Sequence, residues 1–192
     1  MASYETRTRR FTRAEYDRLI ELGVFRPDEE IELIGGELIV AEPQGAPHYT
    51  AIRRTAKALE AAFGRGWEVR TEGPLALDDD SEPEPDVAVV PGKPEDYSRS
   101  HPSRPVLTVE VSESTLLGDR QRKGSLYARA QLAEYWVLNL VDRVLEVYRE
   151  PARDAAAPYG WRYARAQVLD ASARVTPLAA PVASIRVAQL LP

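Results

Sequence analysis

Asp86, Glu110 and Lys123 are the residues of this chain whose types and spacing best suit chemistry. Asp86 follows Pro85 and opens the apolar run Asp86-Val87-Ala88-Val89-Val90, while Glu110 lies inside Leu107-Thr108-Val109-Glu110-Val111-Ser112. A carboxylate inside an apolar strand is costly unless it is paired. Two of them on neighbouring strands, with a cation close by, form a site for a hard divalent metal, and oxygen donors favour magnesium or manganese. Such an ion acidifies a bound water and stabilises charge on a phosphoryl oxygen. A lysine beside it adds positive charge and orients or activates the water. The pattern therefore points first to a metal-dependent enzyme.

The elements that must position these groups are legible in the hydropathy pattern. Residues 12–22 read as a helix with Thr12 as N-cap and Glu15 completing a capping box, ended by Gly23. The runs 30–34 and 37–40 alternate around Gly35-Gly36, a hairpin signal. Apolar residues at helical spacing predict a helix over 48–63, followed by strand segments at 67–71 and 74–77. Residues 78–85 are an acidic, proline-rich loop leading into strands at 86–90 and 106–111. A helix over 116–130 then connects to a second hairpin, 134–140 and 143–149, with a flexible insertion at 152–158 and edge strands at 161–169 and 184–190. This order predicts one α/β or α+β domain, a mixed sheet flanked by helices, over residues 1–192, with 1–11 flexible.

Side chains alternate along a strand, so Glu110 shares a face with Thr108 and Ser112, away from Leu107, Val109 and Val111. If the strands of Asp86 and Glu110 pair, both carboxylates converge at one end of the sheet, where a backbone carbonyl such as that of Val111 and waters would complete a magnesium shell. Asp119, Lys123 and Tyr127 recur at i, i+4 and i+8 and fall along one helix face that can look back at the sheet.

Composition narrows the chemistry. Cysteine is absent and only His48 and His101 supply imidazole, which excludes thiolate sites and disfavours a nitrogen-rich zinc site. No apolar run reaches the roughly 20 residues that cross a bilayer, and the basic N-terminus lacks the apolar stretch of a secretory signal, so the setting reads as cytoplasmic. A net charge of −5 weakens a nucleic-acid substrate without removing it, because basic clusters occur at 7–10, at Arg53-Arg54 with Lys57, and at Arg120-Gln121-Arg122-Lys123.

From about Thr12 to Tyr148 the chain resembles the Uma-type proteins, restriction-endonuclease-like members of the PD-(D/E)XK nuclease superfamily. The resemblance runs through Glu32-Leu33-Ile34-Gly35-Gly36-Glu37-Leu38, His48 opening a helix, Pro85-Asp86, Glu110-Val111-Ser112, Asp119 with Lys123 and Tyr127, and Glu134-Tyr135-Trp136. It implies a restriction-endonuclease-like core in which Asp86 and Glu110 hold the metal, DNA is the substrate and a homodimer cuts the two strands. Ser112 stands where the superfamily places its lysine, and the resemblance assigns that role to Lys123, reaching across from the helix. Glu37 becomes an extra acidic group, a second metal ligand or a water-positioning residue.

Plainer readings stand beside these. His48 can simply start its helix or reach a substrate phosphate, Tyr127 can be core packing, and Asp119 with Lys123 can be a surface pair. Asp78-Asp79-Asp80 reads as a solvated loop, and Trp136, Leu138 and Leu140 as sheet core or dimer surface. A non-catalytic binding or assembly module on the same fold is the alternative function, and hydrolysis of RNA or a nucleotide a third.

Overall fold

In a computed structural model the structure describes residues 8–41 and 43–192, so the expected flexibility of 1–11 falls largely outside the described residues. Helix α1 (Arg13–Glu21) starts as its sequence dictates: the Thr12 hydroxyl accepts from Glu15 N–H, and the Glu15 carboxylate accepts from Thr12 N–H. Strands β1 (Ile31–Ile34) and β2 (Glu37–Val40) form an antiparallel hairpin. Its turn needs Gly35 and Gly36, whose φ values of +58° and +81° are left-handed. A Cβ at Gly35 would also strike the Tyr159 ring.

Helix α2 (Ala46–Phe63) begins two residues earlier than the spacing predicts, because Pro47 is favourable in a first helical turn and Gly45 serves as N-cap. After β3 (Trp67–Thr71), β4 (Val87–Pro91) and β5 (Leu107–Ser112), the chain crosses one face of the sheet through α3 (Leu116–Gly118), a π-helical turn (Asp119–Lys123) and α4 (Gly124–Arg129). It returns as β6 (Glu134–Asn139), β7 (Val144–Arg153) and β8 (Trp161–Leu169). The six strands run β3-β4-β5-β6-β7-β8, with only β5 and β6 parallel. That parallel pair requires the helical crossover.

Alternation in β5 and β6 separates two buried faces. Leu107, Val109, Val111, Trp136 and Leu138 pack with Ala51, Ile52, Ala56 and Leu59 of α2, so Trp136 and Leu138 are core rather than dimer surface. Tyr135 and Val137 face Tyr127 and Ala128 of α4 on the opposite side. Two short strands, β9 (Arg174–Val175) and β10 (Ile185–Arg186), pair beside the α2 core and carry Val187, Leu190 and Leu191 onto it. Glu134, fully buried, anchors this tail: it accepts from Trp136 Nε1 at 3.0 Å, from Arg149 and from Leu178 N–H at 2.7 Å.

The structure corrects several expectations. Residues 74–77 form no strand; Leu75 and Leu77 N–H donate to Pro83 and Ser81 carbonyls, and Ala76 N–H to Pro102, which satisfies the backbone locally. The acidic loop is tied down rather than solvated, since Arg129 donates to Asp78 at 2.8 Å and to Asp80 at 2.5 Å. Ala152 and Arg153 lie within β7, paired to Arg162 and Trp161, so the expected insertion is reduced to a hairpin turn. Strand structure in 184–190 is confined to Ile185–Arg186 before a 3-10 turn, Val187–Gln189. Among the described residues no helix is long and apolar enough to cross a membrane.

Glu146 of β7 links sheet and crossover. It is nearly inaccessible and accepts from Arg120, the Tyr148 hydroxyl and Asn139 Nδ2. Burial alone would raise its pKa, but these donors hold it below the ordinary glutamate value of 4.5. A lowered carboxylate pKa gives stability that is full above the unfolded value and is lost as pH falls through the folded one. Glu146→Gln should therefore be less stable than wild type at pH 7 and show a flatter acid-unfolding profile below about pH 4.5, read by circular dichroism. Trp136→Ala should cost about 3–5 kcal/mol in urea unfolding.

Candidate active site

Asp86 sits one residue before β4. Because Val87 pairs with Val109 in an antiparallel ladder, the same register carried one step on sets Asp86 directly opposite Glu110. Like charges opposite one another on a ladder repel, so this pair requires compensation. Each carboxylate obtains it from a different direction. Asp86 accepts from Val111 N–H at 2.6 Å and lies 3.0 Å from His48 Nε2 in the first turn of α2. Glu110, 3% exposed, accepts from the Tyr127 hydroxyl at 2.7 Å and from Lys123 Nζ at 3.2 Å.

Lys123 is shared. Its ammonium also donates to Glu32 of β1 at 3.2 Å, and Glu32 accepts from Glu84 N–H. Burial disfavours the charge on Lys123, but Glu110, Glu32, Asp119 and Asp86 outweigh it and raise its pKa, so the lysine is a fixed cation. Burial pushes the Glu110 carboxyl well up, with Lys123 opposing and the neighbouring acids reinforcing. Glu84 is pushed up to about 7 by burial and by Glu32, Glu30 and Glu82. His48 is raised because its bond to Asp86 and that charge outweigh its burial.

These groups line one cavity of about 580 Å³ at the end of β4 and β5, bordered by α2, the β1–β2 hairpin and the crossover. Seven carboxylates (Glu30, Glu32, Glu72, Glu84, Asp86, Glu110 and Asp119) face one lysine and one histidine there. A cavity so short of cations is chemically suited to a hard divalent ion, and Asp86 with Glu110 provides the two-carboxylate, oxygen-only donor set that magnesium uses together with waters. Among the described residues no three acidic or imidazole groups are already gathered as a complete metal cluster. Lys123, standing between Glu32 and Glu110, supplies the neutralising charge.

The sequence-derived set is largely reunited. Asp86, Glu110, Lys123, His48 and Asp119 line the cavity, and Tyr127 holds Glu110 from behind. Asp119 is buried, so it is no surface partner of Lys123; its carboxylate accepts from Thr115 Oγ1 at 2.6 Å. Ser112 lies 3.4 Å from that same hydroxyl, on the Asp119 side of the cavity. Glu37 is elsewhere: it pairs with Arg122 and Arg10 and borders a separate cleft beside Tyr159. The acid of this hairpin that lines the cavity is Glu32 instead. Its signal was present in the sequence, since Ile31-Glu32-Leu33-Ile34 is another apolar strand with an internal carboxylate. Glu84, placed between two prolines, gave no comparable signal.

The crossover geometry explains how one helix reaches this cavity repeatedly. In a regular α-helix a four-residue step overshoots a full turn by about 40°, and eight residues drift by about 80°. The π turn at Asp119–Lys123 is wider and rotates less per residue, which offsets that drift. Asp119 and Lys123 consequently line the cavity while Tyr127, on the same side of the helix, reaches Glu110 from behind.

A family model described as "Uma2: Putative restriction endonuclease" matches residues 13–188. Among solved structures the chain is similar to "a putative nuclease belonging to DUF820 from Anabaena variabilis ATCC 29413", with a TM-score of 0.65 and 17% identity, over 88% of this chain and 94% of that one. That likeness establishes a restriction-endonuclease-like fold. No curated protein matches the chain.

Removing Lys123 should expose how much the acids depend on it. Lys123→Met leaves Glu110 and Glu32 without their cation and should cost about 3 kcal/mol in chemical unfolding. An unchanged unfolding midpoint would show that the ammonium neutralises nothing.

Proposed function

The chain belongs to the Uma2 family, and from that premise we propose that it is a magnesium- or manganese-dependent nuclease hydrolysing phosphodiester bonds in DNA. The observation that carries this reading is the cross-strand pair Asp86 and Glu110 inside an acid-lined cavity with Lys123 at 3.2 Å from Glu110. Asp86 and Glu110 would hold the metal, which when bound supplies Lewis acidity toward the phosphoryl group and a more acidic water.

The protein's own groups have distinct tasks. Lys123, held protonated by its acidic neighbours, does not take a proton; it orients the attacking water and offsets charge developing on the phosphoryl oxygens. Tyr127 fixes the rotamer of Glu110, and His48 with Val111 N–H fixes that of Asp86. Asp119, braced by Thr115, keeps the crossover side of the cavity acidic. Two copies, each presenting one such cavity, would serve the two strands of a duplex.

Plasmid DNA incubated with each metal should be nicked or linearised by wild type. Asp86→Ala and Glu110→Ala should each lower the rate by about a hundredfold or more, and both should abolish the calorimetric heat of manganese binding. Cleavage by Asp86→Ala at the wild-type rate would sink the assignment. Manganese binding without cleavage of DNA would favour the binding-module alternative.

A further inference from the structure

Of the three basic clusters in the sequence, two are paired within the fold as far as their described residues go. Arg9 and Arg10 pair with Glu15 and Glu37, while Arg120, Arg122 and Lys123 pair with Glu146, Glu37 and the cavity acids. The third differs. Arg54 donates to the carbonyls of Ala188 and Gln189, which fixes its guanidinium against the C-terminal tail without neutralising it. Arg53 and Lys57 are exposed, and among the described residues neither makes an ion pair or a side-chain hydrogen bond.

Their position on α2 gives them a direction. His48, which lines the cavity, heads the buried row Ile52, Thr55 and Leu59. Tyr49, Arg53 and Lys57 form the neighbouring row at i, i+4 and i+8, so they run along the outer face from the cavity's edge. With Thr50 and Glu60 they border a shallow groove of about 550 Å³, in which Glu60 is the one acid. Along the helix axis Arg53 lies about 7.5 Å and Lys57 about 13.5 Å beyond His48. The 6 Å or so between the two cations spans about two base-pair rises of a DNA strand.

We propose that this outer row of α2, Tyr49 with Arg53 and Lys57, docks the sugar-phosphate backbone of a DNA duplex and delivers it to the cavity. The inference rests on the nuclease reading above. It answers a problem that reading creates: a chain of net charge −5, with seven carboxylates around its cavity, repels a polyanion unless a local cationic track offsets them. Charge complementarity selects the occupant, since unpaired cations on a rigid helix match a regular row of phosphates. Tyr49, 55% exposed, adds a hydroxyl at the end nearest the cavity.

The test is binding of a fluorescein-labelled DNA duplex, followed by anisotropy between about 50 and 200 mM KCl. Each phosphate contact contributes about −0.9 to the slope of log affinity against log salt. Arg53→Ala/Lys57→Ala should therefore flatten the slope by about 1.8 and raise the KM for cleavage with little change in kcat. Its manganese-binding heat and melting temperature should stay as in wild type, and Arg165→Ala, on the remote strand β8, should leave the slope unchanged. Charge reversal, Arg53→Glu/Lys57→Glu, should weaken binding further. A wild-type protein that binds and cleaves DNA while the double alanine variant keeps the same slope would overturn this docking surface and leave the nuclease reading intact. A wild type that neither binds nor cleaves DNA would remove both.

Discussion

Glu110 sits in the middle of a six-stranded sheet, on a strand with no exposed residue, and the surrounding architecture exists to make that tolerable. An ionised carboxylate there needs hydrogen-bond donors and a counter-charge, and neither can come from the sheet itself. Both come from the crossover: Tyr127 from α4 and Lys123 from the π turn. Asp86 compounds the requirement, because the strand register places it opposite Glu110. The β1–β2 hairpin is drawn in by the same need, through Glu32 and the shared ammonium. The parallel β5–β6 pair, which forces the chain over this face, is thus what lets the site form.

Charge is distributed unevenly around this centre. Among the described residues, most basic residues of the N-terminal region and the crossover are locked in pairs with specific acids, such as Arg120 with Glu146 and Arg122 with Glu37, and Arg149 of β7 is held likewise by Glu134. The cavity is left with an acidic excess that suits a hard cation, and the outer row of α2 is left with a basic one.

Much of this was legible in the residues. Periodicity and turn chemistry located α1, the β1–β2 hairpin, α2 and the strands of Asp86 and Glu110 to within two residues, because local propensity and the fold agree there. Of the acids that line the cavity, Asp86 and Glu110 stood out as charges at the start of or inside apolar strands. Glu37 was misplaced for a physical reason: on a short hairpin, Glu32 and Glu37 look equivalent in sequence, and only the packing of Arg122 against one and Lys123 against the other separates them. Residues 74–77 looked like a strand by composition, yet their backbone is satisfied by carbonyls of the neighbouring loops. The role of the acidic loop was hidden because its partner, Arg129, is about fifty residues away in sequence and pairing across that distance leaves no local trace.

The π turn carries a consequence for how this family member can change. Within five consecutive residues it aims Asp119 at Thr115, Arg120 at Glu146, Arg122 at Glu37 and Lys123 at two glutamates. Each aim depends on the angular phase of the helix, which is set by the number of residues in the turn. Substitution there alters one contact, whereas loss of a single residue would restore ordinary α winding and rotate everything downstream by about 100°. Tyr127 would leave Glu110, and Tyr135 would lose the Asp119 carbonyl it now donates to. The segment is consequently constrained in length as well as in composition, so insertions and deletions should be borne by the β7–β8 turn and excluded from 119–123.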